Sequence, residues 1–319
     1  MRIVVLAGGV GGARFLRGLL YAAPDADVTV IGNTADDITL FGLRVCPDLD
    51  TVMYTLGGGI HEGQGWGRAE ETFSVSGELA AYGVGPRWFT LGDRDIATHI
   101  VRTQMLDAGY PLSAVTEALC TRWLGDSRAR LLPMSDDRVE THVVIDDPES
   151  SAGQRAIHFQ EWWIRLHAEV PAQQILAIGA EDAKPAPGTL EAIEAADLVI
   201  VPPSNPVVSV GTILAVPGMR SALEPKTVVG VSPIIGGAPV RGMADACLTA
   251  IGVETSARGV AHHYGPSLLD GWLVDTADDE AGYAAGITVW GMPLYMRDID
   301  RAAAIARGAV DLGEELTGP

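Results

Sequence analysis

Four aspartates fall within fifteen positions: Asp36 and Asp37 in the run Gly32-Asn33-Thr34-Ala35-Asp36-Asp37, and Asp48 and Asp50 in Pro47-Asp48-Leu49-Asp50-Thr51. Like charges crowded in this way repel one another unless something positive sits among them. A hard divalent cation meets that need. Magnesium is the first choice, because it takes oxygen ligands and is commonly held by one or two carboxylates plus substrate phosphates. On this reading Asp36, Asp37, Asp48 and Asp50 are metal ligands. The competing reading is two solvated turns, with Asp50 or Thr51 capping a helix over Val52 to Leu56.

A second stretch with chemistry is Gly8-Gly9-Val10-Gly11-Gly12-Ala13-Arg14. An apolar run, Arg2 to Ala7, leads into it, and Phe15, Leu16, Leu19 and Leu20 follow at helical spacing. Strand, glycine turn and helix is the arrangement that cradles phosphate, because the helix start offers unpaired N–H groups. As a dinucleotide fingerprint it is incomplete: Arg14 stands where the third glycine belongs. The next strand, Val28 to Ile31, runs to Asn33 and not to the acid that would hold an NAD ribose. No Gly-Lys-Ser/Thr exists, so a lysine phosphate loop is excluded. A mononucleotide or diphosphate site with Gly8, Gly9, Gly11 and Gly12 as its floor remains, against a ligand-free tight turn.

Positioning these residues requires strands that end at one edge. The rhythm of short apolar strands and helices predicts an α/β fold: a Rossmann-like, doubly wound, mainly parallel sheet in a single domain over 1–319. Residues 57–67 are glycine-rich and read as a lid or a connector. Helical patterns over 68–83, 95–109 and 112–124 make about 57–130 a helical insertion or cap. Val143–Ile145 and Ala156–Ile164 read as a hairpin, and Ile175–Ile178 as a strand of the resumed α/β rhythm. Ser204-Asn205 and Ser232-Pro233 follow the strands Leu198–Val201 and Thr227–Val231. They therefore fall on the edge where doubly wound sheets bind ligands.

Composition narrows the classes. The chain carries 22 basic and 41 acidic residues, a net charge of −19, which repels nucleic acid and anionic membranes. No apolar run reaches the roughly 18 residues of a membrane span. The N-terminus lacks a signal-peptide pattern, so a cytoplasmic location is expected. Cys46, Cys120 and Cys247 are scattered without metal or disulfide spacing and read as packing residues. An anionic substrate would have to be held by local means: main-chain amides, a bound cation and a few arginines.

Together, Leu6-Ala7-Gly8-Gly9-Val10-Gly11-Gly12-Ala13, Gly32-Asn33-Thr34-Ala35-Asp36-Asp37, Pro47-Asp48-Leu49-Asp50-Thr51, Leu91-Gly92-Asp93-Arg94-Asp95 and Pro202-Pro203-Ser204-Asn205-Pro206 resemble the 2-phospho-L-lactate transferase family, CofD in archaea and FbiA in actinobacteria. The resemblance implies an enzyme of coenzyme F(420) formation. Such an enzyme moves a phospholactyl or phosphoenolpyruvyl group from a guanosine diphosphate adduct to the ribityl hydroxyl of the deazaflavin Fo, releasing GMP. The FbiA-like character favours the phosphoenolpyruvyl donor. It further implies a magnesium-dependent site in which Asp37 and Asp50 are catalytic. Gly8, Gly9, Gly11, Gly12, Asn33, Ser204, Asn205 and Ser232 would hold the nucleotide. Trp88, with Trp66, would stack on the deazaflavin. A homodimer is expected. The rival reading is a regulator of the same fold that binds a nucleotide sugar without transfer.

Overall fold

The computed structural model describes residues 1–125, 127–278 and 281–318. Its centre is a seven-stranded sheet whose paired neighbours all run parallel: β1 (Arg2–Ala7), β2 (Asp27–Gly32), β5 (Ala129–Pro133), β9 (Leu198–Val201), β10 (Val228–Val231), β13 (Gly271–Val274) and β14 (Thr288–Gly291). In space the order is β14-β13-β10-β9-β1-β2-β5. The chain winds outward from β1 through β2 to β5, then returns to β9 on the other side of β1. The winding therefore reverses between β1 and β9, and the ends of these two strands open a crevice.

The sequence dictates this burial. Ile3, Val5 and Ala7 enter one core while Val4 and Leu6 enter the other, as alternation along a strand covered on both faces requires. The first core lies under α1 (Gly9–Ala22), α2 (Pro47–Leu56), α5 (Leu112–Leu124) and α11 (Ile299–Thr317). The second lies under α6 (Thr189–Ala195), α7 (Val210–Ala215), α8 (Met219–Leu223), α9 (Ala244–Ala250) and α10 (Ala257–Tyr264).

Smaller elements shape the crevice. A hairpin of β3 (Ile38–Leu40) and β4 (Leu43–Val45) leads into α2, and β11 (Ile234–Ile235) pairs with β12 (Ala238–Pro239) beyond β10. Two helices, α3 (Ser74–Ala81) and α4 (Asp93–Asp107), stand between α2 and α5. The hairpin β6 (Glu140–Asp146) and β7 (Gln154–His158) is followed by a π-helical turn over Glu161–Arg165. Three expectations change. The hairpin strand expected over Ala156–Ile164 is Gln154–His158 instead, and a π-helical turn begins at Glu161. The strand expected at Ile175–Ile178 is β8 (Ala172–Ile178), and it pairs antiparallel with β6 in a separate three-stranded sheet. The helix expected from Val52 begins at Pro47, because proline suits the first helical position and loses no bonded N–H there. Asp48 and Asp50 thereby lie in its first turn.

The helices α1 and α11 touch at Gly18, where a Cβ would lie 2.4 Å from the carbonyl carbon of Ala302. Alanine is the better helix former by about 1 kcal/mol. Gly18→Ala is nonetheless expected to destabilise the protein by roughly 1–3 kcal/mol, because the two backbones must separate. A lowered urea midpoint at unchanged slope is the expected readout; an unchanged or raised midpoint would refute the close-packing argument.

Candidate active site

The glycine turn between β1 and α1 is closed from both sides. The Ser204 hydroxyl accepts from the Gly8 N–H (3.2 Å) and donates to the Gly8 carbonyl (2.8 Å), which ties the turn to the end of β9 across the crevice. A Cβ at Gly8 would fall 2.4 Å from Asp48 Oδ2, and one at Gly11 would fall 2.3 Å from the Pro203 carbonyl oxygen. Glycine is therefore required for loop-on-loop approach. Gly9 is different: its φ is +67°, and no atom lies within 4 Å of where its Cβ would be. Its amide faces Asp48, whose ionised form it favours. Asn33 donates to Asp48 Oδ2 (2.9 Å) and to the Val208 carbonyl (3.1 Å), and its oxygen accepts from the Ala35 N–H and the Thr212 hydroxyl. Fully buried and fully bonded within the protein, Asn33 positions Asp48.

Residues two apart on a helix point to nearly opposite sides. Asp48 faces the glycine turn, whereas Asp50 lines a cavity of about 270 Å³ together with Tyr54, Trp66, Phe73, Phe89 and His99. The far wall of this cavity is built by reciprocal capping. The Asp93 carboxylate accepts from the Ser74 and Val75 N–H groups at the start of α3. Glu71 accepts from the Arg94 and Asp95 N–H groups at the start of α4. Capping of this kind satisfies donors a helix start otherwise leaves open. It also fixes Asp95, His99 and Arg102 as a stripe on α4. Tyr54 donates to Asp95 (2.7 Å), and Arg102 donates to Asp50 and to His99 Nδ1. Because arginine can only donate, His99 Nδ1 is unprotonated and Nε2 is left to face Asp95 at 3.5 Å.

Charge is concentrated here at low exposure. Burial holds the Asp36 carboxyl well above the usual range, with neighbouring Asp48 adding to the effect. Burial pushes Asp37 up to about 6 against the pull of Arg44, which donates to it at 3.1 Å. It pushes Asp48 up to about 6 as well, and it raises Asp50 despite Arg102. Asp36 Oδ1, Asp37 Oδ1 and Asp50 Oδ2 are buried with no hydrogen-bond partner in the protein, as are the Thr34 and Thr141 hydroxyls. Orphaned carboxylate oxygens of this kind fit a cation. Ligand atoms of Asp50, Asp95 and His99 lie within 4.8 Å of one another and can hold a divalent ion. Among the described residues, no three of Asp36, Asp37, Asp48 and Asp50 converge in that way.

The turn bearing Asp36 and Asp37 is gripped from behind. His158 Nδ1 accepts the Gln160 N–H (3.1 Å), so its Nε2 carries the proton and donates to the Asp37 carbonyl (3.1 Å). The Gln160 side chain donates to the Asp36 carbonyl at 3.4 Å. Burial holds His158 below its ordinary value, which keeps the ring neutral as this pattern requires.

The structure thus joins Gly8, Gly9, Gly11, Gly12, Ser204, Asn33, Asp36 and Asp48 around the crevice, and it brings Asp50 to the adjoining cavity. Asn205 and Ser232 turn inward. Asn205 accepts from the Val207 and Val208 N–H groups, and the Ser232 hydroxyl closes its own turn with Ile234. Trp88 packs edge-on to Phe89 (6.0 Å) outside the cavity lining, whereas Trp66 is part of that lining. Arg102, His99, His158 and Gln160 were not expected from sequence. The Asp95, His99, Arg102 stripe has a readable helical signature, since the three recur at i, i+4 and i+7. His158 and Gln160 reach the turn only through the fold.

The family described as 2-phospho-L-lactate transferase CofD matches residues 3–289. The chain is 68% identical over 324 residues to the phosphoenolpyruvate transferase of Thermobifida fusca, covering 99% of each. It is 68% identical over 321 residues to that of Streptomyces griseus, again covering 99% of each, and 53% identical over 331 residues to that of a Mycobacterium species, covering 98% of each. A Bacillus halodurans structure of the UPF0052 family shares the fold, with a TM-score of 0.61 at 17% identity over 97% of this chain and 98% of that one. The chain belongs to the CofD family and is a transferase, which displaces the binding-only regulator reading. No helix among the described residues is long and apolar enough to cross a membrane.

The buried carboxyls make a pH prediction. A carboxyl raised from 3.8 to about 6 favours the fold below about pH 4 and loses that contribution as pH rises to about 6. Asp48→Asn should therefore match the wild type near pH 4. It should exceed the wild type by roughly 1–3 kcal/mol at pH 7 in metal-free buffer. A stability difference that does not vary with pH in chemical denaturation would sink this account.

Proposed function

We propose that the chain transfers a phosphoenolpyruvyl group, with 2-phospho-L-lactyl as the alternative, from its guanosine diphosphate adduct to the ribityl hydroxyl of the deazaflavin Fo, releasing GMP. The start of α2 is the observation that carries this reading. Asp48 meets the glycine turn, where main-chain amides suit a diphosphate, and two residues later Asp50 meets an aromatic cavity that suits a flat ring. Donor and acceptor would then approach across one helical turn. The names of the relatives favour the enolpyruvyl donor.

In the reaction, the ribityl oxygen attacks the phosphorus that carries the enolpyruvyl group. The bond from that phosphorus to the bridging oxygen breaks, and GMP leaves with the electron pair. Asp50, whose Oδ2 has no hydrogen-bond partner in the protein, takes the hydroxyl proton; Arg102 holds its other oxygen and fixes its direction. Asp37 and Arg44 flank Asp50 and Arg102 from behind, and His158 and Gln160 fix the main chain beneath them. Of the aspartates expected as ligands, Asp50 is the one whose ligand atom lies near those of Asp95 and His99; magnesium held there would occupy the same Oδ2, so Asp50 serves either as ligand or as proton acceptor, not both at once. A magnesium ion there would supply charge neutralisation of phosphoryl oxygens.

Mass spectrometry of the product from Fo, magnesium and each donor tests the reading. Asp50→Asn and Asp37→Asn should each lower kcat by roughly 10²–10⁴ with the fold intact. Trp66→Ala and Phe73→Ala should raise the KM for Fo by about tenfold and change kcat less. No product with either donor, or near-normal kcat in both aspartate variants, would overturn it.

A further inference from the structure

The face of α1 that carries Val10, Arg14 and Arg17 is roofed by the 61–67 loop. Arg17 pairs with Glu62, and Arg241, in the loop that leaves β12, donates to the Gln64 carbonyl. Gly65 sits between them with φ +74°, buried against Val10. A Cβ at Gly65 would lie 2.6 Å from Val10 Cγ1, 3.2 Å from an Arg241 Nη and 3.5 Å from an Arg14 Nη. Two guanidinium groups from distant parts of the chain therefore meet over a single glycine.

Neither has an ion-pair partner among the described residues. Arg17 takes Glu62, whereas among the described residues no carboxylate lies within ion-pair distance of Arg14 or Arg241. Burial, and then Arg241 and Arg17, hold Arg14 below its ordinary value, with Glu62 pulling weakly the other way, so Arg14 and Arg241 repel each other. A bound anion relieves that repulsion and fills the guanidinium donors. The position agrees with this role. Arg14 stands one turn beyond Val10 on the helix that starts at the crevice, and long helical side chains lean toward their own helix start.

We propose that Arg14 and Arg241 form a two-arginine anion clamp over the glycine turn, and that it receives oxyanions of the nucleotide-linked donor, either of its diphosphate or of its carboxylate. The donor's identity rests on the transfer reading; the clamp itself does not. Gly65 is the residue that lets both arginines reach one anion, since any side chain there would stand between them.

Isothermal titration of the full chain tests the clamp with GDP, inorganic pyrophosphate and phosphoenolpyruvate as separate titrants. Wild type is compared with Arg14→Gln, Arg241→Gln and Arg14→Lys, and melting temperature serves as the folding control. If phosphates are the ligand, each glutamine variant weakens GDP and pyrophosphate by about tenfold or more. If the carboxylate is the ligand, GDP and pyrophosphate are unchanged while phosphoenolpyruvate weakens by about tenfold. In either case Arg14→Lys restores only part, because the planar fork is lost. Affinities within twofold of wild type for all three titrants in both glutamine variants overturn the clamp, as does a wild type that binds none of them. A wild type that binds pyrophosphate but not GDP, with pyrophosphate lost in the variants, supports the clamp and counts against the transfer reading alone.

Discussion

Removing carboxylates from water is the constraint on which this structure turns. Asp36, Asp37, Asp48 and Asp50 are all buried within the first two βα units. An ionised carboxyl deprived of water is costly unless charge or hydrogen bonds replace the lost solvation. The fold supplies replacements one at a time: Asn33 and the Gly9 amide for Asp48, Arg44 and the Cys46 thiol for Asp37, Arg102 for Asp50. It withholds full satisfaction, because one oxygen each of Asp36, Asp37 and Asp50 stays unpartnered. A protein selected only for stability gains nothing from such atoms. A site that must attract positive charge or accept a proton gains a great deal.

Helical geometry sends this buried charge in two directions. Within the first turn of α2, Asp48 and Asp50 are turned away from each other, one toward the winding reversal between β1 and β9 and one toward α4. The crevice is set by topology, since adjacent strands that feed helices on opposite faces leave their ends uncovered. The cavity is set by capping, since Glu71 and Asp93 exchange helix starts and so lock α3 to α4, while Tyr54 and Asp50 of α2 bond to Asp95 and Arg102 of α4. The short segment from Pro47 to Asp50 is where these two independent constructions meet.

Most of this was legible where local pattern and tertiary demand agree. The alternation of β1, the glycine turn and the clustering of aspartates each specify their place without reference to distant residues. The sequence was less informative where a polar side chain had a local partner. Asn205 and Ser232 stand at strand ends, the expected ligand edge, but their oxygens are captured by N–H groups or carbonyls two or three residues away. Short polar side chains in turns commonly do this. The strand Ala172–Ile178 was legible as a strand but not as a member of the second sheet, because its neighbour is chosen by the β6–β7 hairpin. His158 and Gln160 carry no local signal at all. Their role exists only because that second sheet delivers them to carbonyls more than a hundred residues earlier.

A net charge of −19 invites the conclusion that an anionic substrate would be repelled. Distance and solvent decide otherwise. Exposed charges are screened over roughly 8 Å at physiological salt, whereas charges and dipoles that line a crevice act through little water. Of the acidic groups, those nearest the crevice are also the ones burial pushes toward the neutral form, Asp48 to about 6 and Asp36 further in the same direction. Arg14, on the helix that starts at the crevice, and Arg241 beside it stand without a carboxylate within ion-pair distance among the described residues. The field that a ligand between β1 and β9 would feel is accordingly set by amides, guanidinium groups and acids whose ionisation burial opposes, and the surface acidity does not by itself dictate the sign of what binds.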